Sequence, residues 1–115
     1  ALYTLNDEQL PELVRIAIFH YYMGYIHPFY DGNGRLSRFI SSYLIAKNIN
    51  AFVGLRLSYM VKERQSEYYT AFDISNDLKN KGDLTSFVLS FLDFIHSSIE
   101  NLIEKMKFYE MFQLL

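Results

Sequence analysis

The stretch HPFYDGNGRLSR, residues 27–38, packs a histidine, an aspartate, a Gly-Asn-Gly turn and two arginines into twelve positions. It lies between two segments of helical pattern, so its reading decides how the chain folds. Gly32 and Gly34 flank Asn33, and all three residue types tolerate the backbone of a tight turn. The turn feeds a helix whose first turn holds Arg35 and Arg38, on one face by their i,i+3 spacing, and no acid. A cation at the positive end of a helix dipole costs about 0.3–1 kcal/mol, and a bound anion reverses that sign. Backbone N–H groups in such a turn and at a helix start can converge on one anion. A polyphosphate suits the pattern, since it offers several oxygens to a nest and two guanidinium forks.

Asp31 looks misplaced beside phosphates unless a cation lies between them. Mg²⁺ commonly takes one or two protein carboxylates and fills its octahedron with phosphate oxygens and water. His27 is the residue of the stretch whose ordinary pKa lies near neutrality, so it suits proton removal from an attacking hydroxyl. Phe29 is expected to point inward and anchor the loop, with Pro28 ending the preceding helix. Alone, Asp31-Gly32-Asn33-Gly34 is an ordinary turn sequence. It is no EF-hand, because Leu36 and Ser42 stand where Gly and Glu belong, and no P-loop or dinucleotide fingerprint.

Working outward, Leu13, Ala17, His20, Gly24 and His27 fall on one stripe at spacings of four and three, which predicts an amphipathic helix after Pro11. His20 on that stripe reads as packing or support rather than direct chemistry, and His96 as structural. A second helix is predicted from Asn33 or Gly34 to Lys47, with Leu36, Phe39, Ile40, Tyr43 and Leu44 as its apolar side. NINAFVGLR reads as a connector with some strand character. Ser58 is expected to cap a third helix through YMVKERQSEYYTAFDISND, LKNKGD to break it, and Asp83 or Thr85 to cap a long last helix. The terminal IENLIEKMKFYEMFQLL ends strongly apolar and reads as core, or as a subunit or interdomain surface. The fold class predicted is an all-α compact bundle, one domain over residues 1–115, with the quoted loop between two core helices.

The 115 residues are 50% hydrophobic, with 10 Tyr and 10 Phe, enough for a real core. A net charge of −2 gives no general attraction to nucleic acid or anionic membrane, so neither is expected as a partner. The absence of Cys excludes disulfides and thiolate metal sites and suits the cytoplasm, and no apolar run is long enough to span a bilayer. The chain opens on Ala1 and is expected to be a piece of a longer protein.

HPFYDGNGRLSR resembles the signature of the Fic family, H-x-F-x-[D/E]-G-N-G-R-x-x-R, with every fixed position filled in order. IAIFHYYMGYIHPF is similar to the family's entry helix, and YYTAFDISNDLKNKGDLTSFVLSFL to its downstream helices. The resemblance implies a protein adenylyltransferase, which moves AMP from ATP to a Ser, Thr or Tyr hydroxyl of a target protein with Mg²⁺. It implies His27 as general base, Phe29 as buried anchor and Asp31 as magnesium ligand. Gly32, Asn33 and Gly34 match the phosphate cradle, and Arg35 and Arg38 the arginines on the outer phosphates. Tyr68 or Tyr69 is the implied adenine contact.

The family's β-hairpin flap, which aligns the target segment, has no counterpart in the dozen residues before the entry helix. The inhibitory pattern [S/T]-x-x-x-E-[G/N] is also unmatched: His96 precedes Glu100-Asn101 where Ser or Thr belongs, and Gln9 follows Thr4 and Glu8. An inhibitory helix or antitoxin partner supplied elsewhere, and a homodimer, are the further partners the resemblance implies. The signature equally admits removal of AMP, or transfer of UMP, phosphate or phosphocholine. A non-catalytic interaction or regulatory module is the alternative of another class, which an intact His27 and Asp31 argue against.

Overall fold

A computed structural model describes residues 6–26 and 32–114. Among them the chain forms α1 (Glu12–Ile26), α2 (Asn33–Asn48), α3 (Ala51–Glu63), α4 (Gln65–Asn76), a 3₁₀ turn (Leu78–Asn80) and α5 (Thr85–Gln113), with no strand. The all-α expectation holds.

The core is organised by α5, which packs on α1, α3 and α4. Phe87, Phe91, Phe94, Ile95 and Ser98 recur at helical spacing and are buried. They meet Ile16, Ala17 and Tyr21 of α1, Val53, Leu57 and Val61 of α3, and Tyr68 and Ala71 of α4 in one apolar cluster. Each large side chain fully removed from water contributes about 1.5–3 kcal/mol. The predicted stripe of α1 is the packed one: Ala17 and His20 are fully buried, and a Cβ on Gly24 would fall 2.7 Å from the Phe72 ring. No helix among the described residues is long and apolar enough to cross a membrane.

Three expectations are corrected. First, the buried side of α2 is not its apolar side. Phe39 and Tyr43 are 70% and 56% exposed, while Ser37, Ser41 and Ile45 are buried. On the flank of α2 toward α3 the residues are small because the backbones come close: a Cβ on Gly54 of α3 would lie 2.5 Å from Ser42 O and 2.8 Å from Ala46 Cβ. Second, the supposed connector is the start of α3. The Asn50 side chain accepts hydrogen bonds from Phe52 N (2.9 Å) and Val53 N (3.2 Å), and the buried Val53, Leu57 and Val61 hold that helix on the core.

Third, Ser58 lies inside α3, and the break comes at Arg64 instead. The Arg64 guanidinium reaches Asp93 Oδ2 at 2.6 Å and Ser97 Oγ at 3.0 Å, pairs with Glu67, and lies 4.7 Å from the Phe94 ring centroid. One side chain thus fastens the α3–α4 junction to α5. LKNKGD does end α4, as expected: Asp77 caps the 3₁₀ turn, and Lys81 and Gly82 take left-handed backbone. Asp83 accepts from both Thr85 N (2.9 Å) and Thr85 Oγ (2.6 Å) at the head of α5. Beyond Leu102, α5 presents Ile103, Met106, Phe108 and Phe112 to the surface rather than to the core.

Candidate functional site

His27, Phe29 and Asp31 lie outside the described residues. The structure resumes at Gly32, whose φ of 80° and ψ of 9° are left-handed, a conformation that costs glycine little. Its carbonyl accepts from Leu36 N at 2.9 Å and so opens α2. Gly32 itself has no side chain to cap this helix, and no acid stands in the helix's own first turn. Both arginines fold back over the turn instead. A Cβ on Gly32 would lie 3.6 Å from Arg35 Nη2, and one on Gly34 would lie 3.2 Å from Arg38 Nη1. The glycines therefore leave room for guanidinium groups as well as for a turn.

Arg38 forms part of the wall of two cavities. On one side is an open cleft of about 620 Å³, walled by Arg35 and Arg38 of α2, Lys62 of α3 and Tyr69 of α4, with no carboxylate among the described residues of its lining. Three cations on one wall make it a cleft for anions. On the other side is a pocket of about 190 Å³, where Gly34, Ser37 and Arg38 face Tyr69, Phe72 and Asn76. Its aromatic rings and terminal amide suit a flat, hydrogen-bonding ring rather than a charged group. The predicted Asn33, Gly34, Arg35, Arg38, Tyr68 and Tyr69 thus all line one or both of these cavities.

The two tyrosines differ in role. Tyr69 is half-exposed and lines both cavities. Tyr68 is buried, and its hydroxyl stands 2.6 Å from His20 Nε2. Burial pushes the Tyr68 hydroxyl up to about 12, partly offset by the positive charge of Arg38. His20 is fully buried and holds Ser41 Oγ at 2.8 Å through Nδ1. Its pKa falls to about 3, first because burial disfavours the imidazolium and then because Arg38 repels it. His20 is accordingly a neutral core group joining α1, α2 and α4.

His96 is exposed and lies 2.8 Å from Glu100, so the glutamate nearest to the inhibitory pattern is engaged one turn back along α5. Among the described residues no group of three or more His, Cys, Asp or Glu assembles to hold a metal. Lys62 and Asn76 are among the wall residues that sequence reasoning missed. Asn76 accepts from Tyr21 Oη at 2.6 Å. A signal existed for it: Tyr69, Phe72 and Asn76 follow one another at i, i+3 and i+7, one stripe of α4. Lys62 reaches the cleft from α3, and no local pattern announced it.

Residues 1–45 match the model of the Fic/DOC family. The chain is 32% identical over 106 residues to "Protein adenylyltransferase fic-1" of Caenorhabditis elegans, covering 90% of this chain and 19% of that protein. It is 31% identical over 99 residues to "Protein adenylyltransferase Fic" of Drosophila grimshawi, covering 84% of this chain and 19% of that one. The chain therefore spans about a fifth of the length of the curated relatives it matches. No solved structure matches it. With the family model on the segment that carries the glycine–arginine turn, and relatives alike along most of its length, the chain belongs to the Fic/DOC family.

Proposed function

We propose that this chain is the catalytic part of a protein adenylyltransferase, moving AMP from Mg·ATP to a Ser, Thr or Tyr hydroxyl of a target protein. The observation that supports this best is the position of Arg38 between a cationic cleft and an aromatic pocket. A nucleoside triphosphate has those two chemistries joined in one molecule. In this reading the phosphate chain lies along Arg35, Arg38 and Lys62, and the base enters the pocket beside Tyr69 and Asn76.

His27 takes the proton of the target hydroxyl as its oxygen attacks the α-phosphorus. The new P–O bond forms as the bond to the β-phosphate bridging oxygen breaks, and pyrophosphate leaves with that electron pair. Arg35 and Arg38 neutralise the charge that gathers on the leaving group. Asp31 would hold a magnesium ion together with phosphate oxygens and water, since Mg²⁺ commonly takes one protein carboxylate beside substrate phosphates. Bound there, it would polarise the phosphates as a Lewis acid.

The test is incubation of the chain with Mg²⁺ and ATP labelled at either the α- or the γ-phosphate, with cell lysate as the source of target. Label from the α-position alone, reduced about 10²–10⁴-fold by His27→Ala, is the expected result. Label from the γ-position alone would make the protein a phosphotransferase and overturn the reading.

A further inference from the structure

Beside the proposed base pocket, and sharing Asn76 with it, lies a further open cavity of about 410 Å³ that the reading above leaves unused. Tyr22 and Tyr25 of α1 form one side of it. Leu78, Lys81 and Leu84 of the α4–α5 connection form the other, and Ser75 at the end of α4 completes the lining.

Both sides are held in place. Tyr21 is buried and donates to Asn76 Oδ1 at 2.6 Å; it stacks on Tyr25 at 5.9 Å between centroids and meets Tyr22 edge-on at 5.6 Å. Across the cavity, the Asp77 side chain accepts from Lys79 N at 2.9 Å, and the Asn80 amide donates to the carbonyls of Ser75 (3.4 Å) and Asp83. The turn so pinned presents Leu78 with 94% of its surface exposed, facing a Tyr25 that is 62% exposed. A single exposed apolar residue is ordinary. Rigid aromatic and aliphatic side chains set around one cavity are instead the usual form of an anchor site for a protein partner.

The lining also says what the anchor is. Ser75 is only 3% exposed, and among the described residues its hydroxyl has no hydrogen-bond partner, so the cavity offers a polar atom beneath apolar walls. A flat ring with a polar tip matches both. At the rim stand Asp77 and Lys81, exposed and of opposite sign, which suit a ligand carrying both charges and count against a nucleotide or an anionic lipid. A tyrosine within a charged peptide has all of these properties. The place fits as well, since Asn76 borders the base pocket and His27 follows Tyr25 by two residues in the sequence. We propose that this cavity docks a segment of the protein substrate through a tyrosine anchor, so that a hydroxyl elsewhere in the same segment is delivered to the nucleotide. This rests on the reading of the chain as an adenylyltransferase given above.

The test titrates the whole chain with the peptide acetyl-Glu-Tyr-Lys-amide, and with its Phe and Ala versions, while backbone amide resonances are followed by NMR. Saturable shifts are expected at Tyr25, Leu78, Lys81 and Gly82. The Phe peptide should bind about three- to tenfold more weakly, as for one lost hydrogen bond, and the Ala peptide should not saturate. Ser75→Ala should abolish the preference for Tyr over Phe, and Leu78→Ser should weaken the Tyr peptide about tenfold. Neither change removes a hydrogen bond seen in the fold. In the labelling assay with cell lysate, Leu78→Ser should lower the transfer of AMP to protein several-fold while leaving the Kd of Mg·ATP unchanged.

Absent or scattered shifts would overturn the proposal, as would a preference for Tyr that survives Ser75→Ala. The same resonances moving with protein concentration alone would assign the cavity to a second copy of the chain and overturn it too. Loss of peptide binding in Leu78→Ser with undiminished labelling would separate the cavity from the substrate and sink the assignment. If the wild-type chain transfers no AMP, the proposed function falls, and the titration still decides whether the cavity holds a tyrosine peptide.

Discussion

The first turn of α2 and its middle are built from similar polar residues and treated in opposite ways. On the inward face that runs through its middle, Ser37 and Ser41 are buried, and their hydroxyls meet protein partners: Ser41 pairs with His20, and Ser37 donates to the Gly34 carbonyl at 3.1 Å. Charge is excluded there, as the depressed pKa of His20 shows. At the first turn the charge is kept. Arg35 and Arg38 stand over glycine backbone beside a cleft of about 620 Å³. Interior polarity closes on itself and fixes how three helices meet. Polarity at the helix start is turned outward, toward whatever occupies the cleft. The start of α3 shows the ordinary alternative, with Asn50 taking up two of its amides.

Acid should break the middle of α2 with the largest effect. His20 has a folded pKa of about 3 against 6.5 for the free side chain, so below pH 6.5 the unfolded chain binds a proton that the folded chain refuses. Stability present at neutral pH is then lost on acidification, at up to about 1.4 kcal/mol per pH unit until the folded pKa is reached. Between pH 7 and pH 5 this amounts to about 2 kcal/mol. Urea unfolding of wild type and His20→Gln at both pH values isolates the effect, because the carboxylates are common to both proteins. Equal pH dependence in the two would mean that His20 accepts a proton in the folded state.

The start of α3 supplies the control for the start of α2. Asn50→Ala removes the acceptor for Phe52 N and Val53 N and should cost about 1 kcal/mol in urea unfolding. Affinity for inorganic tripolyphosphate should stay within about twofold, since Asn50 lies in neither cavity. A large loss of anion binding would show that both helix starts serve the cleft, and the contrast between them would disappear.

How far these regions were legible in the sequence follows the same division. The glycine–arginine turn was readable because its signal is local: spacing, charge sign and glycine placement all lie within twelve residues. The stripe Leu13–Ala17–His20–Gly24 was readable for the same reason. The inner face of α2 was not, because hydrophobicity points to Phe39 and Tyr43 while the close approach of α3 selects Ser42 and Ala46. The first half of α3 was missed because NINAFVGLR reads as a connector with some strand character, whereas the missing side chain of Gly54 is what lets two helices touch. Lys62 and Asn76 enter the cavity walls only through tertiary folding. A residue brought to a site by another helix leaves its trace as a stripe on that helix, as Tyr69, Phe72 and Asn76 do, and not as a motif.

The smallest predicted effect separates the two treatments of polarity by its sign. Arg35 is exposed in the first turn of α2, where a positive charge opposes the helix dipole. Arg35→Gln keeps a hydrogen-bonding side chain and removes the charge. In the absence of ligand it should stabilise the fold by about 0.3–1 kcal/mol at low ionic strength, a gain that shrinks as salt screens the exposed charge. The same change should weaken tripolyphosphate binding several-fold, about as expected for losing one charge-assisted hydrogen bond. A substitution that raises stability while lowering affinity marks a residue kept for a ligand rather than for the fold. If Arg35→Gln instead destabilised the chain and left anion binding unchanged, Arg35 would belong with Ser37 and Ser41 as part of the internal polar framework, and only Arg38 would remain turned toward the cleft.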